Sequence, residues 1–192
     1  MLMISTAVAE QLPRCGNSES AARLFALVVD DSEQRRKVIR CNNTLTLLAE
    51  QKAAKMADFG LVAHNLGGSP NVYLRENGYE LPSYYGNTFN SNQVEAIAGG
   101  YSSAAEVWQA FKRSSQHRQH LLGEHPLYLE QDEIGVAFVK DVSAPHVEYW
   151  VVYLTKSGVS NNNDEQAADS TSQQSFKNSD SIPNKNIAIL TQ

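Results

Sequence analysis

The sequence predicts an α+β protein, a three-layer α/β/α sandwich around a small antiparallel sheet. Two segments, IGVAFV over Ile134–Val139 and VEYWVVYL over Val147–Leu154, are apolar at almost every position. A strand that is apolar on both faces needs cover on both faces. Because amphipathic helical segments precede these strands, the economical arrangement places helices on each side of the sheet. Residues 140–146 then form the connection of a hairpin.

The first predicted helix begins near Ser18 and ends within the charged segment EQRRK, residues 33–37. Its apolar residues recur at the spacing of an amphipathic helix, at Ala22, Phe25, Ala26 and Val29. A second helix starts after Asn42 and Asn43, whose side chains can cap free backbone N–H groups. Gly60 is its predicted stop, with one further turn leading to His64. The core face of this helix comprises Leu45, Leu48, Ala49, Met56 and Phe59, with Lys52 as the polar exception.

The segment over 65–100 is rich in Gly, Asn, Ser and Pro, and it is predicted to be a long loop with little regular structure. Loops of this length in compact domains are usually functional. Ser103 and Glu106 then form a capping box, in which each side chain satisfies a free backbone donor. They open a third helix that carries Trp108 and Phe111 and extends to Leu122.

Size and composition set limits on the class of protein. A chain of 192 residues is long enough for one domain with a substantial core, predicted over residues 18–156. A net charge of −5 argues against nucleic acid as a partner. No apolar run approaches the roughly 18–20 residues of a membrane-spanning helix. The tail over 157–192 is almost free of large apolar side chains until its closing IAIL, so it is predicted to be disordered.

The N-terminal segment, residues 1–17, allows two interpretations. Ala7-Val8-Ala9 has the small-x-small form of a signal-peptidase site, but no basic start and almost no apolar run precede it. The segment is either the remnant of a signal peptide that starts upstream or an ordinary chain terminus. The residues alone leave both interpretations open.

The two cysteines, Cys15 and Cys41, are expected not to pair. A secreted protein would favour a disulfide. However, about 15 helical residues would separate the two ends of the intervening segment by roughly 22 Å, whereas a disulfide tolerates at most about 7 Å between Cα atoms. Pairing would require the chain to double back near Asp30–Ser32.

Three polar residues are candidates for a shared site: His64, Glu95 in the stretch QVEAIAGGY, and His117 in SSQHRQHLLG. Two imidazoles and a carboxylate can bind a divalent metal with water, or serve as a base with its orienting partner. Each also has a purely structural interpretation, as a helix end, a surface charge and a cation at a helix C-terminus. Spacing alone does not bring them together. His120 is predicted to be a helix-surface residue.

Taken in order, the motifs resemble the bacterial branch of the CAP superfamily, which contains cysteine-rich secretory proteins, antigen 5 and pathogenesis-related proteins and is also called SCP-like. The motifs are A-H, G-Y, E before I-A-x-G, S-x-x-E-V, S-x-x-H-R-x-x-L-L, I-G-V and Y-W. The resemblance covers residues 22–154 and is most specific over Glu95–Leu122.

This resemblance implies an α/β/α sandwich in which His64, Glu95 and His117 converge in one cleft. Members of the superfamily carry two His and two acidic residues there, in some cases with a divalent metal. The second acid falls on Ser114 in this sequence, so the implied cleft consists of His64, Glu95, Ser114 and His117. Since one carboxylate is lost, affinity for zinc should be weaker; His64 and His117 are the candidate zinc ligands.

Two functions follow as expectations. The first is a secreted, periplasmic or cell-envelope monomer that binds a small molecule, a lipid or a peptide, with the loop tyrosines suited to recognition: Tyr73, Tyr79, Tyr84 and Tyr85. The second is a metal-assisted hydrolase with Glu95 as general base. Because no nucleophile is arranged in the sequence, binding ranks first, and no cofactor besides zinc is expected. In a third interpretation the histidines have no functional role, and the function of the protein depends on its tail.

Overall fold

The computed structural model describes residues 15–157, so the tail from residue 158 and the first 14 residues lie outside the described part. The elements in chain order are α1 Glu19–Val29, β1 Arg40–Cys41, α2 Asn43–Phe59, α3 Pro70–Glu76, β2 Glu95–Gly99, α4 Ala104–Arg113, α5 Ser115–Leu121, α6 Pro126–Leu129, β3 Glu133–Lys140 and β4 Glu148–Thr155. None of the helices in residues 15–157 has both the length and the apolarity to cross a bilayer.

The sheet has four strands in the order β1-β3-β4-β2. The two long predicted strands form an antiparallel hairpin that pairs Glu133 with Thr155 and Lys140 with Glu148. β2 adds to the far side of β4, also antiparallel. β1 pairs with β3 in parallel, so the sheet is mixed, and the prediction of an antiparallel sheet was wrong at this edge. A two-residue strand has too few positions to produce an alternating pattern.

Helices cover both faces of the sheet, as the apolar strands predicted. Trp150, Val152 and Leu154 point to one side of β4, into a core shared with α1, α4 and α5. Tyr149, Val151 and Tyr153 point to the other side, into a core built mainly on α2. Successive side chains of a strand face opposite ways, so β4 contributes to both cores. The three-layer α/β/α class is therefore confirmed.

Helix starts agree with the predicted caps. Ser18 accepts a hydrogen bond from the backbone N–H of Ala21, and Asn42 caps α2 in the same way through Leu45. The predicted stripe of α1 was wrong by about one position, because the buried residues are Ala21, Leu24, Phe25 and Val28. This orientation removes more apolar area from water, since Leu24 takes the place of a smaller alanine in the core.

The ends of α1 and α2 also differ from the prediction in part. α1 ends at Val29, before the charged segment where its end was predicted. α2 ends at Phe59, and its cap Gly60 adopts the left-handed conformation with φ 65°, as expected for a glycine after a helix. The further turn leading to His64 does not form, because residues 61–63 are irregular.

The predicted loop over 65–100 contains regular structure. Ser69 caps α3, and Pro70 occupies its first turn, which is a favoured position for proline. The third predicted helix is divided at Ser114, whose extended ψ of 116° separates α4 from α5. Ser103 caps α4, but the Glu106 carboxylate accepts from the backbone N–H and hydroxyl of Ser102. The Ser103 half of the predicted capping box forms, whereas the Glu106 half bonds to Ser102, one residue earlier than predicted.

Cys15 and Cys41 form a disulfide with a Cα–Cα distance of 5.4 Å, so the expectation that they stay unpaired was wrong. The chain reverses after α1, and the buried Arg36 holds the returning segment by donating to the carbonyls of His120 and Leu121. Cys41 then pairs with Ile134 across the sheet, while Cys15 Sγ lies 3.4 Å from the Ile134 carbonyl oxygen.

Packed structure begins before the predicted domain start at residue 18. Cys15 is fully buried, and the Asn17 side chain bonds to the backbone N–H and carbonyl of Phe138 in β3. These two residues tie the segment before α1 to the sheet.

Candidate functional site

His64, Glu95 and His117 line one cleft of about 370 Å³. They come from three separate parts of the fold: the turn after α2, the first residue of β2 and the helix α5. The other residues that line the cleft are Asn90, Asn92, Gln116, Gln119, His120 and Tyr128. Its surface is therefore built mainly from imidazole and amide groups.

A short hydrogen bond joins the first two of these residues. His64 Nδ1 lies 2.8 Å from Glu95 Oε1. The carboxylate is buried, whereas the imidazole is 44% exposed. An ionised carboxylate only accepts hydrogen bonds, so Nδ1 carries the proton. In the neutral ring, Nε2 then keeps its lone pair for another partner.

The second oxygen of Glu95 is also engaged. Tyr153 donates its hydroxyl to Glu95 Oε2 at 2.8 Å, and the two residues are direct partners across β2 and β4. Lys52 Nζ lies 3.8 Å from the same oxygen. Burial raises the pKa of Tyr153 well above its usual value, and the nearby Glu95 charge adds to this. Burial lowers the pKa of Lys52, partly offset by the attraction of Glu95.

Asn92 fixes the backbone around the carboxylate. Its Oδ1 accepts from the backbone N–H groups of Val94 and Glu95, so its Nδ2 is the donor. That amide nitrogen donates to the Glu95 carbonyl at 3.0 Å and lies 3.2 Å from His64 Nδ1. The charge-assisted bond from His64 to the carboxylate is shorter and stronger. Asn92 was not among the predicted site residues, although an Asn just before a strand is a typical turn signal.

His117 projects from α5 and packs against Phe111, with the ring centroids 5.0 Å apart. Burial lowers the pKa of His117, and the positive charge that His64 can carry lowers it further. A neutral imidazole is thus favoured at this position at neutral pH. His117 lies in the first half of α5, so the interpretation as a cation at a helix C-terminus does not apply.

His120 is buried, so its prediction as a helix-surface residue was wrong. Its Nε2 lies 3.0 Å from the Leu154 carbonyl oxygen, and its ring packs on Tyr128 with centroids 4.9 Å apart. Burial lowers the pKa of His120 to about 3. The division between α4 and α5 turns this residue inward, which a single continuous helix would not predict.

Ser114 does not line the cleft in the described part of the chain. It connects α4 to α5, where its backbone N–H donates to the Ala110 and Phe111 carbonyls and its own carbonyl accepts from Arg118. The position that the resemblance assigned to a second acid therefore has a backbone role here.

The donor set does not fit a metal centre held by the protein alone. Within residues 15–157, no group of three or more His, Cys, Asp or Glu side chains is placed to hold a metal ion. Both Glu95 oxygens already bond to protein groups, which leaves His64 and His117 as the only two candidates from the sequence prediction. Zinc sites use three or four protein ligands.

No protein-family model matches the chain, and a search of curated proteins gives no match. The solved structures similar to it include one outer surface protein and one extracellular protein. An outer surface protein from Borrelia burgdorferi superposes with a TM-score of 0.53 and 18% identity, over 73% of this chain and 96% of that one. An extracellular protein from Bacillus anthracis that contains an SCP domain has a TM-score of 0.53 and 20% identity, over 71% of this chain and 40% of that one.

The chain has an SCP-like fold. The similarity to the SCP-domain protein shows the fold that the motifs predicted, and it shows the fold alone. Proteins that share the SCP-like fold need not share an activity, because the function of a protein depends on the residues of its site.

Proposed function

We propose that this SCP-like protein is a secreted, periplasmic or cell-envelope binding module whose cleft receives a small polar ligand or a peptide. The observation that carries the proposal is the joint lining of one cleft by His64, His117 and four side-chain amides. Imidazole and amide groups supply both donors and acceptors, which suits a ligand rich in hydrogen-bonding groups. A lipid, the other ligand class expected from the sequence, ranks lower because such a ligand needs an apolar lining.

In the proposed binding mode, Glu95 does not contact the ligand directly. Its side chain is buried, and its two oxygens bond to His64 and Tyr153. Glu95 therefore orients His64, and the His64 ring meets the ligand through Nε2. The proposal assigns the direct contacts to His64, His117, Gln116 and Gln119.

The proposed location outside the cytoplasm rests on two observations. Cys15 and Cys41 form a disulfide, a bond that persists in oxidising compartments. Two of the similar structures are described as an outer surface protein and an extracellular protein. Fractionation of cells that express the gene with its native upstream sequence tests this location, and recovery of reduced protein from the cytosol alone would contradict it.

Binding is tested with the full chain and a library of short peptides and small polar compounds, by ligand-observed NMR. We expect any specific ligand to lose at least about tenfold in affinity in His117→Ala, because one good hydrogen bond in a desolvated site accounts for that factor. His146→Ala is the matched control, since His146 is exposed outside the cleft lining. Ligands that bind His64→Ala/His117→Ala as tightly as the wild type would contradict the site.

The second candidate function is a hydrolase, favoured by the 2.8 Å bond between His64 and Glu95. A carboxylate that holds Nδ1–H leaves Nε2 to accept a proton from water. In this version His64 is the general base, and Glu95 orients it. Zinc held by His64 and His117 would be an alternative to this pair, because the single free lone pair on Nε2 cannot bind a metal and accept a proton at the same time. Calorimetric titration with zinc separates the versions: equal loss of affinity in His64→Ala and His117→Ala supports the metal, and no heat in the wild type removes it.

A further inference from the structure

Lys52 places a cation in the middle of an apolar helix face. The residue is only 3% exposed, and its neighbours on the same face of α2 belong to one hydrophobic core, namely Leu45, Leu48, Ala49, Ala53 and Met56. Burying a charged side chain carries a desolvation penalty that its partners must offset. An apolar residue would satisfy the packing of α2 equally well, so the cation needs an explanation beyond packing.

The partners of the ammonium belong to two residues of the cleft and to the turn that carries one of them. Lys52 Nζ donates to the carbonyl of His64 at 2.7 Å and to that of Leu66 at 3.4 Å. It also lies 3.8 Å from Glu95 Oε2. The two carbonyls belong to the turn that carries His64, and the carboxylate is the group that holds the His64 ring. One buried cation therefore contacts both the backbone and the ring anchor of His64.

We propose that Lys52 is a positioning residue of the cleft, which fixes the His64 turn and the Glu95 carboxylate relative to each other. With both held, Glu95 Oε1 stays 2.8 Å from His64 Nδ1, and the ring keeps the tautomer with the proton on Nδ1. The free lone pair of Nε2 then belongs to the ligand. The inference deepens the proposed function and rests on it, because this tautomer matters only if the cleft binds a ligand.

The structure also supplies a matched control. Lys55 lies one turn further along α2 and carries the same charge, but its ammonium extends beside Gly67. Lys52→Met and Lys55→Met therefore remove the same charge from the same helix. Only the first substitution removes the contacts to His64 and Glu95.

The experiment records long-range 1H–15N correlation spectra of the histidine rings in the 15N-labelled full chain. We expect His64 to be mainly in the Nδ1–H tautomer in the wild type and in Lys55→Met. In Lys52→Met we expect the loss of this preference, with a mixture of both tautomers. An unchanged Nδ1–H tautomer in folded Lys52→Met would overturn the proposal.

A measurement on the unmodified protein keeps the proposal testable if Lys52→Met does not fold. The Lys52 ammonium should give a slowly exchanging 15N signal with nuclear Overhauser contacts to residues 64–66. An ammonium that exchanges as fast as that of Lys55 would overturn the inference. Neither readout uses a ligand, so the failure of the ligand screen and the failure of this inference are distinguishable.

Discussion

At the residue scale, the cleft depends on one buried carboxylate and the groups that satisfy it. Glu95 accepts hydrogen bonds from His64 and Tyr153 and faces Lys52. The three partners lie at different positions along the chain. When a substitution removes one of them, the other two therefore cannot replace its contact with Glu95. A buried acceptor that loses its donor retains the full cost of desolvation. Substitutions within this network should therefore reduce stability as well as binding.

Tyr153→Phe tests this network with the smallest change. It deletes the hydroxyl that donates to Glu95 Oε2 at 2.8 Å and leaves the aromatic packing in place. Because the acceptor is charged and buried, we expect the free energy of unfolding in urea to fall by about 1.5–3 kcal/mol. Tyr73→Phe is the control, since its hydroxyl bonds to Gln51 at the surface, and its effect should stay within about 0.5 kcal/mol. Equal effects would contradict a special role for the buried hydroxyl.

The buried side chain of His120 should make the stability of the fold depend on pH. Burial lowers its pKa from 6.5 to about 3 in the folded protein, so between these values the unfolded chain binds a proton that the folded chain does not. Stability contributed by His120 is therefore complete above pH 6.5 and is lost as the pH falls toward 3, by about 1.4 kcal/mol per pH unit. His120→Gln should flatten this part of the curve in urea unfolding at several pH values. The same slope in the variant would contradict the assignment, and His125→Gln is the control.

At the element scale, α2 packs unusually close to β3, and Gly135 makes the contact. A Cβ atom added at Gly135 would overlap the backbone of Leu45 and Thr46 at the start of α2. Backbone atoms cannot move aside as a flexible side chain can. The site depends on this contact indirectly, because α2 carries Lys52 and ends before the turn of His64.

Gly135→Ala should therefore lower the free energy of unfolding by about 3 kcal/mol, at the upper end of the range for overpacked cores. Gly78→Ala is the comparison, because nothing lies within 4 Å of its added Cβ and its φ is +82°. Only the cost of the left-handed conformation applies there, about 1 kcal/mol. Thermal or urea unfolding of both variants gives the difference. A cost at Gly135 no greater than that at Gly78 would show that α2 can move away from the sheet.

At the scale of the whole molecule, the fold joins segments that lie far apart in the sequence. The disulfide ties Cys15, before α1, to Cys41 in the edge strand β1, across 26 positions. Closing a loop of that size in the unfolded chain lowers its entropy. The bond thus holds the reversal of the chain after α1 on which the edge of the sheet depends.

Cys15→Ala/Cys41→Ala should lower the free energy of unfolding by about 3.5 kcal/mol, as the loop-closure estimate gives for a separation of 26 positions. Urea unfolding with and without a reducing agent provides the measurement. The reductant should destabilise the wild type by a similar amount and leave the double variant unchanged. A wild type indifferent to reduction, with both thiols open to alkylation, would contradict the bond.

Much of the fold could be predicted from the sequence because its signals are local. The strands of the hairpin are apolar on both alternating sets, and the caps Ser18, Asn42 and Gly60 act on their own backbone neighbours. Such local signals predicted less of the candidate site. His64, Glu95 and His117 were selected through ordered motifs that resemble a family, whereas Asn92 and the inward-facing His120 were missed.

By itself, then, the sequence determined the layers: apolar periodicity decides which segments must be buried, and capping residues decide where most helices begin. Tertiary structure alone decided the disulfide, the parallel edge strand β1, the burial of His120 and the meeting of Lys52 with Glu95. These features join residues separated by tens of positions. Their free energy comes from satisfying buried polar groups once the layers have packed, and no local pattern encodes which partners will then be in reach.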